Sequence, residues 1–243
     1  MRLIYLFVFS FFLLLSNALS AQSLQLLQNF QRAKPGDYLV TARNKNYTII
    51  LVSSQKDRKL VVEEITAPLN KIPKNIESWR QWIESGAYGH TGWIRYELDL
   101  NNGQMVSLYS FTHQRWLDTS SADNWLSTLL NLNFQQIPDR ERKKTGAASP
   151  KKPTFWNPTM VVNGEIIPGV FFEAYRAKWP KDNSELSGKL IEIYLPQDSQ
   201  LYPSYFPFWL QISGIVGKAK LRMIDTGSNL RSPKSITAAI NFQ

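Results

Sequence analysis

The stretch IRYELDLNNG, residues 94–103, decides the fold class of this chain more clearly than any other segment. Its apolar residues alternate with charged ones, which is the two-residue period of a strand with one buried face. The segment Asn101-Asn102-Gly103 then predicts a type I′ turn, because asparagine and glycine tolerate positive φ. A return strand follows over residues 105–111. The stretch therefore predicts an antiparallel β-hairpin.

Similar strand-like runs lie on both sides of this hairpin. Three precede it, at residues 38–42, 47–53 and 59–66, and five follow it, at residues 159–162, 170–178, 189–195, 208–213 and 219–225. Helices are predicted over residues 22–32, 79–88 and 121–134, the last with Ser121 as its N-cap. Because the strands come in adjacent runs, we expect an α+β fold. Its mainly antiparallel, curved sheet would resemble a half-open barrel, with a few helices packed on one face.

The first 20 residues have the three parts of an export signal. A positive charge at Arg2 is followed by an uncharged apolar run over residues 3–15, and a small-residue cleavage site lies between Ser20 and Ala21. That apolar run would rise about 20 Å as a helix, less than the ~30 Å of a bilayer core, which favours cleavage over anchoring. We expect a single β-rich domain over residues 21–243 that is exported to the periplasm or cell envelope, or secreted.

Composition excludes several kinds of chemistry. The chain has no cysteine, so disulfides, thiolate metal sites and cysteine nucleophiles are absent. The two histidines, His90 and His113, form no metal-binding pattern. No serine elbow or glycine-rich phosphate loop is present either, so the sequence predicts no catalytic residue, metal or cofactor. The net charge is +9, but export argues against nucleic acid as the partner.

A basic segment over residues 139–153 carries part of this positive charge. One interpretation is a solvated surface loop. The other is contact with an anionic lipid, lipopolysaccharide or a lipoprotein, since a basic residue near a charged membrane contributes about 1 kcal/mol. Peripheral contact with a membrane would follow from this second interpretation. The candidate anion-contact residues are Arg140, Arg142, Lys143, Lys144, Lys151 and Lys152.

An aromatic run follows at residues 202–209, where prolines interrupt any strand until Phe208. This run either folds over the core as a loop or forms the rim of an apolar cavity that holds an acyl chain. The candidate rim residues are Tyr202, Tyr205, Phe206, Phe208 and Trp209.

The segment Asp225-Thr226-Gly227-Ser228 matches the signature of aspartic proteases. That chemistry needs two aspartates that share a proton, and the chain contains one copy of the motif. A strand that ends in a turn at glycine is the simpler interpretation. The adjacent Glu63 and Glu64 would point to opposite faces of a strand, which is poor geometry for a carboxylate pair.

Four segments carry a resemblance to a known family. They are KPGD at residues 34–37, WRQW at 79–82, GHTGW at 89–93 and LSGKLIE at 186–192. Together they resemble a family of uncharacterised exported proteins from chlamydia-type intracellular bacteria. The resemblance implies an envelope location and no particular activity, cofactor or site. Separately, the succession of strands is similar in architecture alone to the lipoprotein-localisation carriers of the periplasm.

These observations lead us to expect a non-enzymatic protein that binds an apolar or anionic component of the envelope, in lipid or lipoprotein handling. Two alternatives stay open. One is an envelope hydrolase whose carboxylates cannot be paired from the sequence. The other is a secreted structural or host-interaction protein.

Overall fold

The computed structural model describes residues 23–119, 125–145, 154–214 and 218–236. The predicted leader, with Ser20 and Ala21, lies outside these residues, and so does the predicted cap Ser121. The described helices are α1 (Leu26–Phe30), α2 (Trp79–Glu84) and α3 (Trp125–Asn131), with a 3-10 turn at Leu69–Lys71. The described strands are β1 (Ser23–Leu24), β2 (Tyr38–Arg43), β3 (Asn46–Lys56), β4 (Lys59–Pro68), β5 (Gly92–Asp99), β6 (Met105–Ser110), β7 (Arg115–Leu117), β8 (Phe134–Gln136), β9 (Met160–Val162), β10 (Glu165–Ile167), β11 (Phe172–Lys178), β12 (Leu190–Pro196), β13 (Trp209–Ser213) and β14 (Lys218–Gly227).

Twelve of the described strands form one antiparallel sheet, in the order β1-β8-β11-β12-β13-β14-β2-β3-β4-β5-β6-β7. Two meanders, β2 to β7 and β11 to β14, are joined where β14 pairs with β2. The remaining two strands, β9 and β10, form a separate ribbon. The short edge strands β1 and β7 do not pair with each other, so the sheet is open. The predicted antiparallel sheet with few helices is confirmed, and the sheet does not close into a barrel.

Apolar side chains are buried on both faces of the sheet. The larger core contains Val62 of β4 together with α1 and α3. A smaller core on the opposite face contains Ile65 of β4 and the side chains of α2. The prediction that the helices share one face is therefore wrong for α2. The reason lies in β2 and β3, whose central residues are apolar at consecutive positions and so have two faces to cover.

The hairpin of β5 and β6 forms as predicted, but its turn differs. Of the turn residues 101–103, only Gly103 has a positive φ, at 71°, whereas a type I′ turn needs two such residues. The Asp99 carboxylate instead accepts a hydrogen bond from the Asn101 amide at 2.8 Å, and the Asp99 carbonyl accepts one from the Gly103 amide at 2.6 Å. An aspartate that precedes the turn therefore determines its geometry.

None of the helices in the described ranges is long and apolar enough to span a membrane.

Candidate functional site

A cavity of about 560 Å³ lies on the larger-core side of the sheet. Its floor is formed by two cross-strand pairs of β13 and β14, Leu210 opposite Leu221 and Ile212 opposite Ala219. Alternation along each strand places these four side chains on one face. The floor of the cavity is therefore entirely apolar.

Two tryptophans that are distant in sequence line the same cavity. Trp125 is the first residue of α3, and Trp179 directly follows β11. The Trp179 indole nitrogen donates a hydrogen bond to the Asp182 carboxylate at 2.9 Å. This bond connects the cavity to the loop between β11 and β12, which contributes Leu186 to the lining.

The loop that supplies Leu186 is held in place by its own hydrogen bonds. The Asp182 carboxylate accepts bonds from the Ser184 hydroxyl at 2.6 Å and from the Ser184 amide at 3.0 Å. The bond from the Ser184 hydroxyl is the main reason why the pKa of Asp182 lies below its usual value. The Asp182 amide in turn donates to the Ser187 hydroxyl at 3.0 Å. The loop thus has a defined conformation before any ligand binds.

Charged side chains complete the lining of the cavity. Ala42 pairs with Arg222, so the next residue of β2, Arg43, lies beside Leu221. Lys220 and Glu185 also line the cavity. Within the described part of the chain, neither Arg43 nor Lys220 forms an ion pair. The cavity therefore combines an apolar floor with cationic groups that are available to a ligand.

The predicted basic segment is only partly a solvated loop. Residues 143–145 run beside residues 154–156, since the Trp156 amide donates to the Lys143 carbonyl and the Thr145 amide to the Thr154 carbonyl, each at 2.9 Å. We call residues 139–145 with 154–156 the clasp. Arg140 and Lys144 are exposed on it. Lys151 and Lys152 lie outside the described residues.

Arg142, by contrast, points into the protein. Its guanidinium donates a hydrogen bond to the Phe172 carbonyl at 2.8 Å and lies 4.4 Å from the centre of the Phe155 ring. Its side chain is only 14% exposed. The predicted role of Arg142 as an anion contact is therefore corrected to an internal contact of the clasp.

Lys143 also points inward, into a cage formed by Trp156, Tyr194 and Trp209. The centres of these three rings lie 5.1–5.3 Å from one another, in edge-to-face orientations. The Lys143 ammonium nitrogen lies 3.6 Å from the centre of the Trp209 ring and 3.0 Å from the Glu192 carboxylate. The prediction of an anion contact is corrected here too, because the ammonium is used for cation–π contacts and an internal ion pair.

The tyrosine of this aromatic cage keeps its proton at physiological pH. Burial, followed by the negative charge of Glu192, raises the pKa of the Tyr194 hydroxyl to about 12. The cage therefore contributes no negative charge of its own, and the attraction for Lys143 comes from the ring faces and from Glu192.

The aromatic run at residues 202–209 fills the core instead of forming the rim of an apolar cavity. Tyr205, Phe206, Phe208 and Trp209 are all buried. Phe30 of α1 makes edge-to-face contacts with the rings of Tyr205 and Phe206, at centroid distances of 5.1 and 5.9 Å.

Tyr202 is half-buried, and together with Tyr205 it lines a polar cavity of about 630 Å³. Beside it, Arg32 forms an ion pair with Asp198. The hydrogen bond from Arg32 holds the pKa of Asp198 below its usual value. The prediction of an apolar rim is therefore corrected, since the apolar cavity lies elsewhere in the sheet and this one is polar.

The Asp-Thr-Gly segment joins strands. The buried Asp225 carboxylate accepts hydrogen bonds from the Gly164 amide at 3.0 Å and from the Tyr38 hydroxyl at 3.3 Å. The Thr226 hydroxyl donates to the Tyr38 carbonyl at 2.7 Å. Burial raises the pKa of Asp225 despite these donors. The motif thus connects β14 to β2 and to the ribbon of β9 and β10.

The remaining candidate groups of the sequence also have structural partners. The Nδ1 atom of His90 lies 3.0 Å from the Ala87 carbonyl oxygen, and its ring contacts Trp93 edge-to-face. The buried Glu63 carboxylate accepts a bond from the Trp93 indole at 2.9 Å. In the ranges that the structure describes, no three histidine, aspartate or glutamate side chains are grouped to hold a metal ion.

Sequence reasoning did not identify Arg43, Trp125 or Trp179 as site residues. In the sequence, Trp125 falls on the apolar face of a predicted helix, and this position was the signal that could have identified it. That Trp125 and Trp179 line the same cavity depends on the packing of segments that are far apart in the chain. The same holds for Arg43, which reaches the cavity because β14 pairs with β2.

Part of this chain is similar to a known protein family. The model of the CT021 protein family matches residues 48–168. That range contains two of the four segments on which the resemblance rests, at residues 79–82 and 89–93. No curated protein matches the chain.

A solved structure, that of the hypothetical protein CT021 from Chlamydia trachomatis, is similar to this chain. The two chains share 18% identity with a TM-score of 0.64, and the match covers 91% of this chain and 100% of that one. At this identity the likeness shows the fold alone. Together with the family match, it confirms the resemblance to an uncharacterised chlamydial family. The chain is therefore similar to the CT021 protein family over residues 48–168.

Proposed function

We propose that this protein binds an amphipathic, negatively charged lipid without catalysing a reaction on it. The observation that carries the proposal is the cavity of about 560 Å³, whose apolar floor adjoins Arg43 and Lys220. Cavities that bind small molecules commonly measure about 300–1,000 Å³ and combine apolar walls with a few polar groups.

The energetics of such a site follow from its lining. Each methylene group of an acyl chain that leaves water contributes about 0.8 kcal/mol. The paired leucines of β13 and β14 and the two tryptophans supply the apolar contacts. A carboxylate or phosphate headgroup would lie near Arg43, where an exposed ion pair adds up to about 1 kcal/mol. Affinity would therefore come mainly from the chain, and selectivity for anions from Arg43.

The place of action that we propose is the cell envelope, in lipid or lipoprotein handling. The export signal in the sequence supports this location. Arg140 and Lys144 are exposed on the clasp and could contact an anionic membrane peripherally. Lipid handling at a membrane surface would bring the cavity close to its ligand.

Titration with an anionic fluorescent fatty acid tests the site. Ile212→Trp places a bulky ring in the cavity at a residue that is only half-buried, so the variant should fold but bind at least about tenfold more weakly. Val106→Trp is the matched control, because Val106 is an exposed strand residue outside the cavity. Equal binding by both variants would contradict the proposal.

Arg43→Gln tests the headgroup contact separately. It should weaken binding of the fatty acid about fivefold, which corresponds to about 1 kcal/mol. Binding of the corresponding uncharged alcohol should not change. If Arg43→Gln weakens both probes equally, Arg43 supports the fold of the cavity and not the charge of the ligand.

Native mass spectrometry of protein purified from its own envelope fraction identifies the natural ligand. A co-purifying lipid supports the proposal. A bare chain that also fails to bind the fluorescent fatty acid would favour a structural or host-interaction role. Turnover of a lipid ester by the parent protein would favour a hydrolase.

A further inference from the structure

A third cavity, of about 710 Å³, lies on the opposite face of the sheet from the apolar one. Its base is formed by β3, β4 and β5, and it is covered by residues 228–236, which we call the strap. Three cationic side chains line this cavity, Arg95 of β5 and Arg231 and Lys234 of the strap. The only carboxylate among the lining residues is that of Glu63.

The strap is fixed over the sheet by specific contacts. Leu230 is buried, and its amide donates a hydrogen bond to the Gly36 carbonyl at 2.9 Å. Arg80 of α2 donates to the Asn229 carbonyl at 2.7 Å and also bonds the Ser228 carbonyl. The cationic groups of the strap are therefore held near the base of the cavity.

Glu63 is satisfied by neutral donors. Its buried carboxylate accepts hydrogen bonds from Ser53 at 2.9 Å, from the Trp93 indole at 2.9 Å and from Ser232 at 2.6 Å. Three such bonds satisfy a carboxylate without a cationic partner. The negative charge of Glu63 is therefore already stabilised by groups other than the arginines and the lysine.

Arg95 is the direct cross-strand neighbour of Glu63, a position in which opposite charges usually pair. Yet no lysine or arginine nitrogen in the described ranges lies within 4.0 Å of the Glu63 carboxylate. Lys234 is directed at the face of Trp93, with its ammonium 5.2 Å from the ring centre. Three positive charges and one negative charge thus surround the cavity, which leaves it with a net charge of about +2.

We propose that this cationic pocket binds a phosphate monoester dianion. The guanidinium groups of Arg95 and Arg231 present the planar donor geometry that matches phosphate oxygens. Lys234 supplies a third positive charge. A dianion would balance the local charge that Glu63 leaves uncompensated. The phosphate comes either from a soluble metabolite or from a lipid headgroup, and the experiment distinguishes these sources.

Calorimetric titration of the full chain with inorganic phosphate at low ionic strength tests the pocket. We expect saturable binding that Arg95→Gln weakens at least tenfold and that Lys234→Gln weakens several-fold. Arg115→Gln is the matched control, because it removes one positive charge from an exposed position on the edge strand β7, outside the cavity. A parent protein that releases no heat with phosphate, or an Arg115→Gln variant as weak as Arg95→Gln, overturns the proposal.

Four further measurements distinguish a specific dianion site from unfolding and from general attraction of anions. Urea unfolding of Arg95→Gln should give the parental midpoint, and Arg95→Lys should restore part of the binding if charge and not folding is responsible. Acetate should bind more weakly than glycerol 3-phosphate, and equal binding would contradict a dianion site. Ile212→Trp, which blocks the apolar cavity, should bind phosphate normally, so the two sites can fail independently.

Vesicles identify the source of the phosphate. If the parent binds phosphatidic acid vesicles, and Arg95→Gln reduces this binding while phosphatidylcholine vesicles are not bound, the ligand is a lipid headgroup. If only glycerol 3-phosphate and inorganic phosphate bind, the ligand is soluble. If binding of every vesicle is insensitive to Arg95→Gln, the pocket is not the membrane contact.

Discussion

Replacing Lys143 by methionine removes the charge from the aromatic cage and keeps most of the side-chain stem. The Lys143 side chain is 34% exposed and that of Glu192 is 17% exposed, so their ion pair contributes about 1 kcal/mol. A cation that is one-third exposed in front of aromatic faces adds about 1.5 kcal/mol. Contacts of methionine sulfur with the rings return about 0.5 kcal/mol.

The expected net loss for Lys143→Met is about 2 kcal/mol of unfolding free energy. For a protein of this length that loss lowers the melting temperature by roughly 4–8 °C. Urea unfolding followed by tryptophan fluorescence gives the free energy directly, because Trp156 and Trp209 report on the cage itself.

Lys144→Met is the matched control, since Lys144 is the exposed neighbour on the same clasp. It loses the same charge and should change stability by less than about 0.5 kcal/mol. A double-mutant cycle of Lys143→Met with Trp209→Leu should give a coupling energy of about 1 kcal/mol. If Lys143→Met is no less stable than Lys144→Met, the reasoning from the cage is refuted.

Two further predictions concern the end of β14. Burial raises the pKa of Asp225 above its ordinary value of 3.8, so ionising this carboxylate destabilises the folded state. As pH rises from about 4 to 7, the parent should therefore lose stability relative to Asp225→Asn in urea unfolding. A stability difference that does not depend on pH would contradict this. A Cβ atom at Gly227 would lie 2.3 Å from the Asn163 carboxamide oxygen, so Gly227→Ala should cost about 1–3 kcal/mol. Gly92→Ala is its control, because the nearest atom would be 3.9 Å from the new Cβ, and it should melt within a few degrees of the parent.

Most long strands could be predicted because their pattern is local. The run from Ile94 to Leu100 shows the two-residue period by itself, and the structure has β5 there. The strands that were missed, β1, β7, β8 and β10, contain two or three residues each, which is too short for a period to appear. They form because a neighbouring strand offers hydrogen bonds, and for β1 and β8 that neighbour is far away in the chain.

Helix ends were predicted less well than helix positions. The second helix was expected to reach Tyr88, but α2 ends at Glu84. Gly86 and Ala87 then take positive φ values of 99° and 49°. For alanine this conformation is unfavourable by itself, so packing of the buried Ala87 against the smaller core imposes it. Sequence propensity alone predicts a longer helix.

The basic segment shows most clearly why composition did not predict which basic residues face solvent. Two consecutive residues have different environments, since the Lys143 side chain lies in the aromatic cage whereas Lys144 is exposed. The partners of Lys143, among them Glu192 and Trp209, lie tens of residues away in the chain. Only the pairing of β12 with β13 brings these two partners together. Charge counts along the sequence cannot distinguish a cation that is used internally from one that faces solvent.

A chain without cysteine has to fasten its peripheral segments by noncovalent contacts. In the described residues, three such segments are each held in part by a buried or partly buried ionisable side chain. Lys143 holds the clasp, Asp225 holds the ribbon of β9 and β10 through the Gly164 amide, and Arg80 holds the strap. Each of these side chains contacts a segment that is far away in the chain, where apolar burial alone would leave the register of the segment undefined. Charge in this protein therefore has two separable uses, positioning of these segments inside the fold and, at Arg43 and Arg95, the ligand contacts proposed for the two cavities.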